Sequence, residues 1–148
     1  MRMQSLQPSL SPGAQQGVAA IEMAILLPLL ILLFTGLIEY GRLMWHYDAL
    51  AKATRDAARY LADESAPITE PMRTNARNMV GNAAMAAGVA GLEPTSDVGI
   101  ACSPNCSAPD TITVSVSHDF EIGGWVPVFG TGLWTVTMSS HTTMRYMR

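Results

Sequence analysis

The chain has 148 residues, a net charge of −3, and few charged residues (14%) beside many hydrophobic ones (49%). Soluble domains average about 25% charged residues, so this shortage favours a protein that lies partly in lipid. The length suffices for one small domain and a membrane anchor. The basic residues are scattered, which argues against a nucleic-acid partner. No G-x-G-x-x-G, P-loop or H-E-x-x-H sequence occurs, so we expect no cofactor, no metal site and no small-molecule substrate.

The first predicted element is a membrane-spanning helix over residues 18–38. Met23–Ile38 is uncharged and covers roughly 24 Å as a helix at about 1.5 Å per residue. Adding Val18–Glu22 brings the segment close to the ~30 Å of a hydrocarbon core. A cleaved secretory signal is the alternative, but its apolar run ends in a small-residue site. Here the run continues into Glu39-Tyr40-Gly41-Arg42, so we expect the mature protein to keep this helix as a single span.

Glu22 is the one charged residue of this segment. An acid at the bilayer centre costs roughly 2.5–3.5 kcal/mol and less near the interface. One interpretation is that Glu22 lies among the headgroups without a role. The other supposes a cut after Gly17, which makes Val18 the first residue and Glu22 the fifth. The carboxylate of Glu22 then pairs with the terminal amine of a neighbouring subunit, an attraction that low dielectric strengthens. Glu22 would thus set the register of helices that assemble side by side.

These residues resemble a known family. Gly17-Val18-Ala19-Ala20-Ile21-Glu22 is similar to the G-xxxx-E processing site of type IV prepilins. The longer stretch resembles the N-terminal segment of TadE-like proteins, minor pseudopilins of the tight-adherence (Flp, type IVc) pilus assembly system. The closing sequence TVTMSSHTTMRY resembles that family's last strand. The matching features are Glu22, Ala24, Leu27-Pro28, Gly36, the EYGR of residues 39–42 and the AARY of residues 57–60.

The resemblance implies a prepilin-type leader over residues 1–17, which a prepilin peptidase cuts between Gly17 and Val18. It implies assembly through Glu22 with other pilins or pseudopilins and with the pilus assembly platform. It also implies a single-pass protein of the bacterial inner membrane, in contact with membrane lipid, that supports pilus biogenesis and adhesion. Pro28 removes a helical hydrogen bond and predicts a kink. That kink either lets the helix bend during assembly or is tolerated without a role.

The positive-inside rule gives little guidance on orientation, because basic and acidic residues alternate after the apolar run. The two cysteines, Cys102 and Cys106, give a better indication. A close pair in a loop predicts a disulfide, which persists in an oxidising compartment. We therefore expect residues 39–148 to form a periplasmic or extracellular domain. Two free thiols are the alternative, and the three intervening residues exclude a redox C-x-x-C motif.

We predict that the helix continues beyond the membrane and breaks at residues 63–67. Its apolar stripe either packs into the domain or contacts other pilins, and it contains Leu43, Tyr47, Leu50, Ala57 and Leu61. Tyr40 and Trp45 are candidates for an interfacial belt. A second helix is predicted from the N-cap Thr69 to about residue 88.

The last third alternates apolar and polar residues, which predicts strands at residues 111–117 and 133–144. We expect an antiparallel pair packed on the helices. Ile112, Val114 and Val116 share one face of the first strand, and Trp134, Val136 and Met138 share one face of the second. In the apolar connection between the strands, Trp125 and Phe129 either enter the core or touch a partner or membrane. The fold class is therefore α+β: a long membrane helix that continues outside the membrane, a second helix and a small C-terminal antiparallel sheet.

A membrane-tethered extracytoplasmic enzyme is a third hypothesis. His118, Asp119 and Glu121 are close in sequence near a predicted strand end, which is a weak acid–base or metal cluster. Their spacing matches no metal signature, and no G-x-S-x-G occurs. We therefore expect no catalytic residues and no enzyme activity. The main prediction is a pseudopilin-like assembly component, and the alternative is an uncleaved membrane-anchored accessory protein with an extracytoplasmic binding module.

Overall fold

A computed structural model describes residues 12–123 and 134–147 of the chain. These residues contain three helices and three strands in the order α1 (Pro12–Asp63), α2 (Glu70–Ala86), α3 (Pro94–Asp97), β1 (Val98–Ser103), β2 (Thr111–Ile122) and β3 (Trp134–Arg145). The predicted α+β class is confirmed. The chain divides into two compact units, Met1–Ile38 and Glu39–Arg148. The predicted leader lies largely outside the described residues.

In the first unit the described residues belong to α1, which continues through Pro28. Leucine, isoleucine and other apolar side chains fill this segment, and no part of its apolar window is buried among the described residues. In lipid a helix satisfies all its backbone hydrogen bonds internally, which suits an apolar segment of this length.

In the second unit, residues 39–63 of α1 lie along the β2–β3 hairpin. The Glu39 carboxylate accepts a hydrogen bond from the N–H of Gly123, just after β2. At the other end, the N–H of Met147 donates to the carbonyl of Ala62. This part of α1 therefore runs parallel to β3 and antiparallel to β2.

The helix buries a stripe at the 3.6-residue period against the sheet. Leu50, Ala57 and Leu61 are buried as predicted, and Leu43 is half-buried. Tyr47 is 42% exposed, so the alternative of packing into the domain does not hold at this position, and His46 faces the interior instead. Neighbouring residues are about 100° apart around a helix, so a stripe centred on Leu50 includes position 46 and leaves position 47 at its edge.

The second helix begins where the sequence indicates. Thr69 is the N-cap of α2 with an extended backbone, and Pro71 lies in the first turn. Ala76, Val80 and Ala84 are buried on one side. Gly81 lies so close to α3 that an added Cβ would come within 2.5 Å of Pro94 Cγ.

The sheet has three antiparallel strands in the order β1-β2-β3. The predicted pair is present as β2 and β3, and the buried face of Ile112, Val114 and Val116 is confirmed. The sequence prediction missed β1, because its six residues, VGIACS, contain glycine and small side chains and give a weak strand signal. β2 also runs five residues further than predicted, so His118, Asp119 and Glu121 lie inside a strand.

The predicted face of Trp134, Val136 and Met138 on β3 is covered unevenly. Met138 is buried, but Val136 is 36% exposed and Trp134 is 72% exposed. The three share one face by the period of two, as the alternation predicts. The predicted connection of residues 124–130, with Trp125 and Phe129, lies outside the described residues.

Candidate functional site

The most conspicuous surface is the apolar run of α1 from Val18 to Ile38. Its large hydrophobic side chains are between 46% (Leu27) and 70% (Ile25) exposed. Large exposed apolar patches mark membrane or protein contacts. By length and composition, the helix is long and apolar enough to cross a membrane.

The predicted site residues Gly17, Val18, Glu22 and Pro28 all lie on this helix. Val18 and Glu22 are about 6 Å apart along the helix axis, slightly more than one turn. The side chain of Glu22 is exposed. Within residues 17–123 and 134–147, Glu22 makes no salt bridge or side-chain hydrogen bond. An unpaired carboxylate on an apolar helix is available to a partner outside the chain.

Just after the apolar run, Glu39 and Arg42 form a second polar feature. Glu39 is only 8% exposed. Its Oε1 accepts from the Gly123 N–H at 3.1 Å, and its Oε2 lies 3.1 Å from Arg42 Nη2. Arg42 also donates to the Glu121 carbonyl at 3.2 Å. We call this cluster the Glu39 clamp, because it fixes the first helical turn of the second unit to the end of β2.

Sequence reasoning noted EYGR as part of a resemblance and did not predict this clamp. An acid and a base three residues apart at the end of an apolar run would have indicated an ion pair on the helix. The contact with Gly123, 84 positions away, has no signal in the sequence.

Beside the clamp, a cleft of about 520 Å³ opens between α1, the turn after α2 and β2. His46 lies on its wall, with its ring 5.2 Å from that of Phe120. Burial lowers the pKa of His46 below 6.5, and the nearby Arg42 guanidinium lowers it further. His46 Nδ1 is buried and finds no hydrogen-bond partner among the described residues.

His118 links three parts of the second unit. Its Nδ1 lies 2.9 Å from Asp97 Oδ2, and its Nε2 lies 3.1 Å from the Ala90 carbonyl oxygen. A carboxylate and a carbonyl only accept hydrogen bonds, so both contacts are hydrogen bonds at once when the imidazole carries two protons. Burial alone would raise the pKa of Asp97, but hydrogen bonds from His118, the Glu93 backbone and Ser96 lower it overall.

The weak cluster of His118, Asp119 and Glu121 is not a converging set. Neighbours in a strand alternate between faces, and His118 turns towards Asp97 while Asp119 accepts from Thr137 Oγ1. In the part of the chain that the structure describes, no group of three or more His, Cys, Asp or Glu residues lies close enough to hold a metal ion. The contacts of His118 give it a structural role, because they connect β2 to Asp97 and to Ala90.

Cys102 and Cys106 form a disulfide, with Cα atoms 5.1 Å apart. The bond closes a short loop between β1 and β2. The Asn105 side chain accepts from the N–H groups of Ser107 and Ala108 inside this region. The Cys106 carbonyl accepts from the Ile68 N–H at 2.8 Å, which joins the loop to the segment between α1 and α2. The pairing predicted from the sequence is therefore present.

An exposed apolar helix of spanning length, followed along the chain by a disulfide-bonded α+β unit, fits the class of membrane-anchored proteins. Residues 17–59 match the family model of TadE, TadE-like protein. The match confirms the resemblance over these residues. No curated protein and no solved structure matches the chain.

Proposed function

We propose that this chain is a pseudopilin-like assembly component of a Flp-type pilus that supports pilus biogenesis and adhesion. A prepilin peptidase removes residues 1–17, residues 18–38 span the bacterial inner membrane once, and residues 39–148 lie in the periplasm or outside the cell. Its partners are other pilins or pseudopilins, the assembly platform and membrane lipid. The domain works by binding, without catalysis.

The observation that carries the proposal is the uncovered apolar helix with the unpaired carboxylate of Glu22, inside the segment that matches the family. Apolar contacts alone do not fix the register between helices in lipid, because lipid tails are as apolar as leucine. One carboxylate per helix can fix this register, because it pairs favourably with an amine at only one offset between the two helices. The amine that cleavage would release on Val18 lies about one helical turn away along the axis.

The disulfide supports the proposed side of the membrane. A Cys102–Cys106 bond persists in the periplasm or outside the cell, where thiols are not kept reduced. A cytoplasmic domain would leave both thiols free.

Replacing Glu22 tests the assembly role. We expect Glu22→Ala to leave folding and membrane insertion unchanged and to lower the amount of pilus on the cell surface by more than about tenfold. A tenfold loss corresponds to only ~1.4 kcal/mol, and an ion pair in lipid is worth more than that. Shed and cell-bound pilus subunit would be measured by immunoblot. Leu29→Ala removes a side chain that is exposed on the same helix, and this matched variant should assemble normally. Wild-type pilus levels in Glu22→Ala would contradict the role given to Glu22.

Cleavage is tested separately by the N-terminal residue of the protein from a membrane fraction. A chain that begins at Val18 supports peptidase processing. A chain that begins at Met1 supports the second candidate, an uncleaved membrane-anchored accessory protein. One observation favours this candidate: α1 begins at Pro12 and passes through the Gly17–Val18 bond, which is helical.

A further inference from the structure

The inward face of the β2–β3 hairpin is covered along most of its length and uncovered at one end. Val136 and Trp134 follow the buried Met138 on the same face of β3. Across the ladder, Val136 pairs with the buried Phe120 and Trp134 pairs with the half-buried Ile122. An exposed tryptophan beside an exposed valine on a core-facing strand surface indicates a partner outside the chain.

The Glu39 clamp fixes the position of this hairpin end. It ties Gly123 and the Glu121 carbonyl to the side chains of Glu39 and Arg42. Glu121 and Ile122 pair with the first two residues of β3, Thr135 and Trp134. Glu39 follows Ile38 directly in the chain, so the hairpin end is held beside the helical turn that comes immediately after the lipid-compatible run.

Two further aromatic side chains are exposed on the helix close to this turn. Tyr40 is 60% exposed and Trp45 is 67% exposed. Tyrosine and tryptophan combine an apolar ring with a polar O–H or N–H, and they collect where hydrocarbon meets water. At the far end of the same unit the aromatic side chain is less exposed: Tyr146 is half-buried, and its hydroxyl donates to the Glu64 carbonyl.

We propose that the hairpin end, defined by Trp134 and Val136, contacts the headgroup region of the same bilayer that holds residues 18–38. The inference rests on the membrane anchor of the proposed function. The occupant is lipid and not a protein, because Trp134 pairs with Ile122 beside Gly123, which is bonded to Glu39, the residue that directly follows the proposed span. The domain thus contacts the membrane through a strand as well as through its helix.

Fluorescence quenching in vesicles tests this contact in the full chain. The double variant Trp45→Phe and Trp125→Phe leaves Trp134 as the one tryptophan, since the chain has three. It would be reconstituted into phosphatidylcholine vesicles, with and without phosphatidylcholine brominated on the acyl carbons nearest the headgroup. We expect a loss of Trp134 emission in brominated vesicles and a shift of the emission to shorter wavelength.

The matched control moves the probe to the far end of the unit. It adds Trp134→Phe and Met147→Trp, because Met147 is 69% exposed and lies near Ala62. This probe should keep its emission in brominated vesicles. A second measurement is Trp134→Ser in the otherwise unchanged chain, which should remove the part of the lipid quenching that comes from position 134.

The outcomes separate the two proposals. A chain that floats with the vesicles while Trp134 is quenched no more than the probe at position 147 overturns the hairpin contact and leaves the membrane anchor intact. A chain that does not float overturns both. Shielding of Trp134 that appears only at high protein-to-lipid ratio indicates self-association and also overturns the lipid contact. If the proposed pilus role is wrong, vesicle flotation and Trp134 quenching do not change, because neither of them measures pilus assembly.

Discussion

At the scale of single residues, Glu39 is the most consequential polar group of the second unit. Its carboxylate is nearly buried, accepts from the Gly123 N–H and pairs with Arg42. Removing one partner of a buried hydrogen bond leaves the other unsatisfied, which costs about 1–3 kcal/mol. Glu39→Ala should therefore lower the free energy of unfolding by about that amount, measured by urea denaturation in detergent.

The matched control for Glu39→Ala is Glu70→Ala. Glu70 also pairs with an arginine three residues further on, Arg73, but its side chain is 68% exposed. Exposed pairs contribute at most about 1 kcal/mol. Equal losses in the two variants would show that the burial of Glu39 adds nothing.

His46 gives the second unit a sensitivity to acid. Burial and Arg42 hold the pKa of His46 in the folded protein below 6.5, its value in the unfolded chain. The unfolded state therefore binds more protons in this window, and stability rises with pH there. The contribution of His46 is fully present above pH 6.5 and is lost as the pH falls through its folded pKa.

His46→Phe should remove this contribution, because phenylalanine can pack against Phe120 and does not titrate. We expect the free energy of unfolding to fall less between about pH 7 and about pH 5 in this variant than in the parent chain. Urea denaturation at both pH values measures the difference. His141→Gln changes an exposed histidine and should leave the pH dependence as it is. An unchanged slope in His46→Phe would contradict the burial argument.

At the scale of elements, Gly81 sets the distance between α2 and α3. Glycine in a helix normally costs about 1 kcal/mol relative to alanine, so a glycine on a buried helix face needs a reason. An added Cβ would lie 2.5 Å from the Pro94 ring, which has little freedom to move. Gly81→Ala should thus destabilise the protein by about 1–3 kcal/mol, as overpacking does, despite its better helix propensity.

The neighbouring Asn82 is exposed on the same helix, which makes Asn82→Ala the control for propensity alone. We expect it to be neutral or slightly stabilising, by no more than about 0.7 kcal/mol. Thermal unfolding of both variants gives the comparison. If Gly81→Ala instead raises the free energy of unfolding, α3 can move away from α2 without destabilising the protein.

The elements themselves were predicted with unequal success. α2 was located from Thr69 and the glycines after it, since caps and terminators are local signals. β1 was missed because its strand character depends on pairing with β2, which covers Val98 and Ile100 on one side. The alternation of β3 correctly placed Trp134, Val136 and Met138 on one face, but the exposure of each depends on which elements pack over it.

At the scale of the whole molecule, the two units differ in what supports them. The described hydrophobic core begins at Leu50 and contains no residue of the first unit. The fragment of residues 39–148 should therefore fold without the apolar run and unfold cooperatively. Circular dichroism and urea denaturation of this fragment would check it, and the intact Cys102–Cys106 bond would be confirmed by mass. A fragment without cooperative unfolding would show that the first unit contributes to the fold.

The sequence alone determined the long apolar helix, the place of its carboxylate, the family resemblance, the cysteine pair and the α+β class. Each of these depends on composition or on residues that are close in the chain. Tertiary structure decided the rest: the Glu39 clamp, the link of His118 to Asp97 and Ala90, the third strand and the exposed hairpin end. The contacts of His118 with Asp97 and of Glu39 with Gly123 join residues 21 and 84 positions apart, and such contacts arise from the packing of elements against each other, which no local pattern encodes.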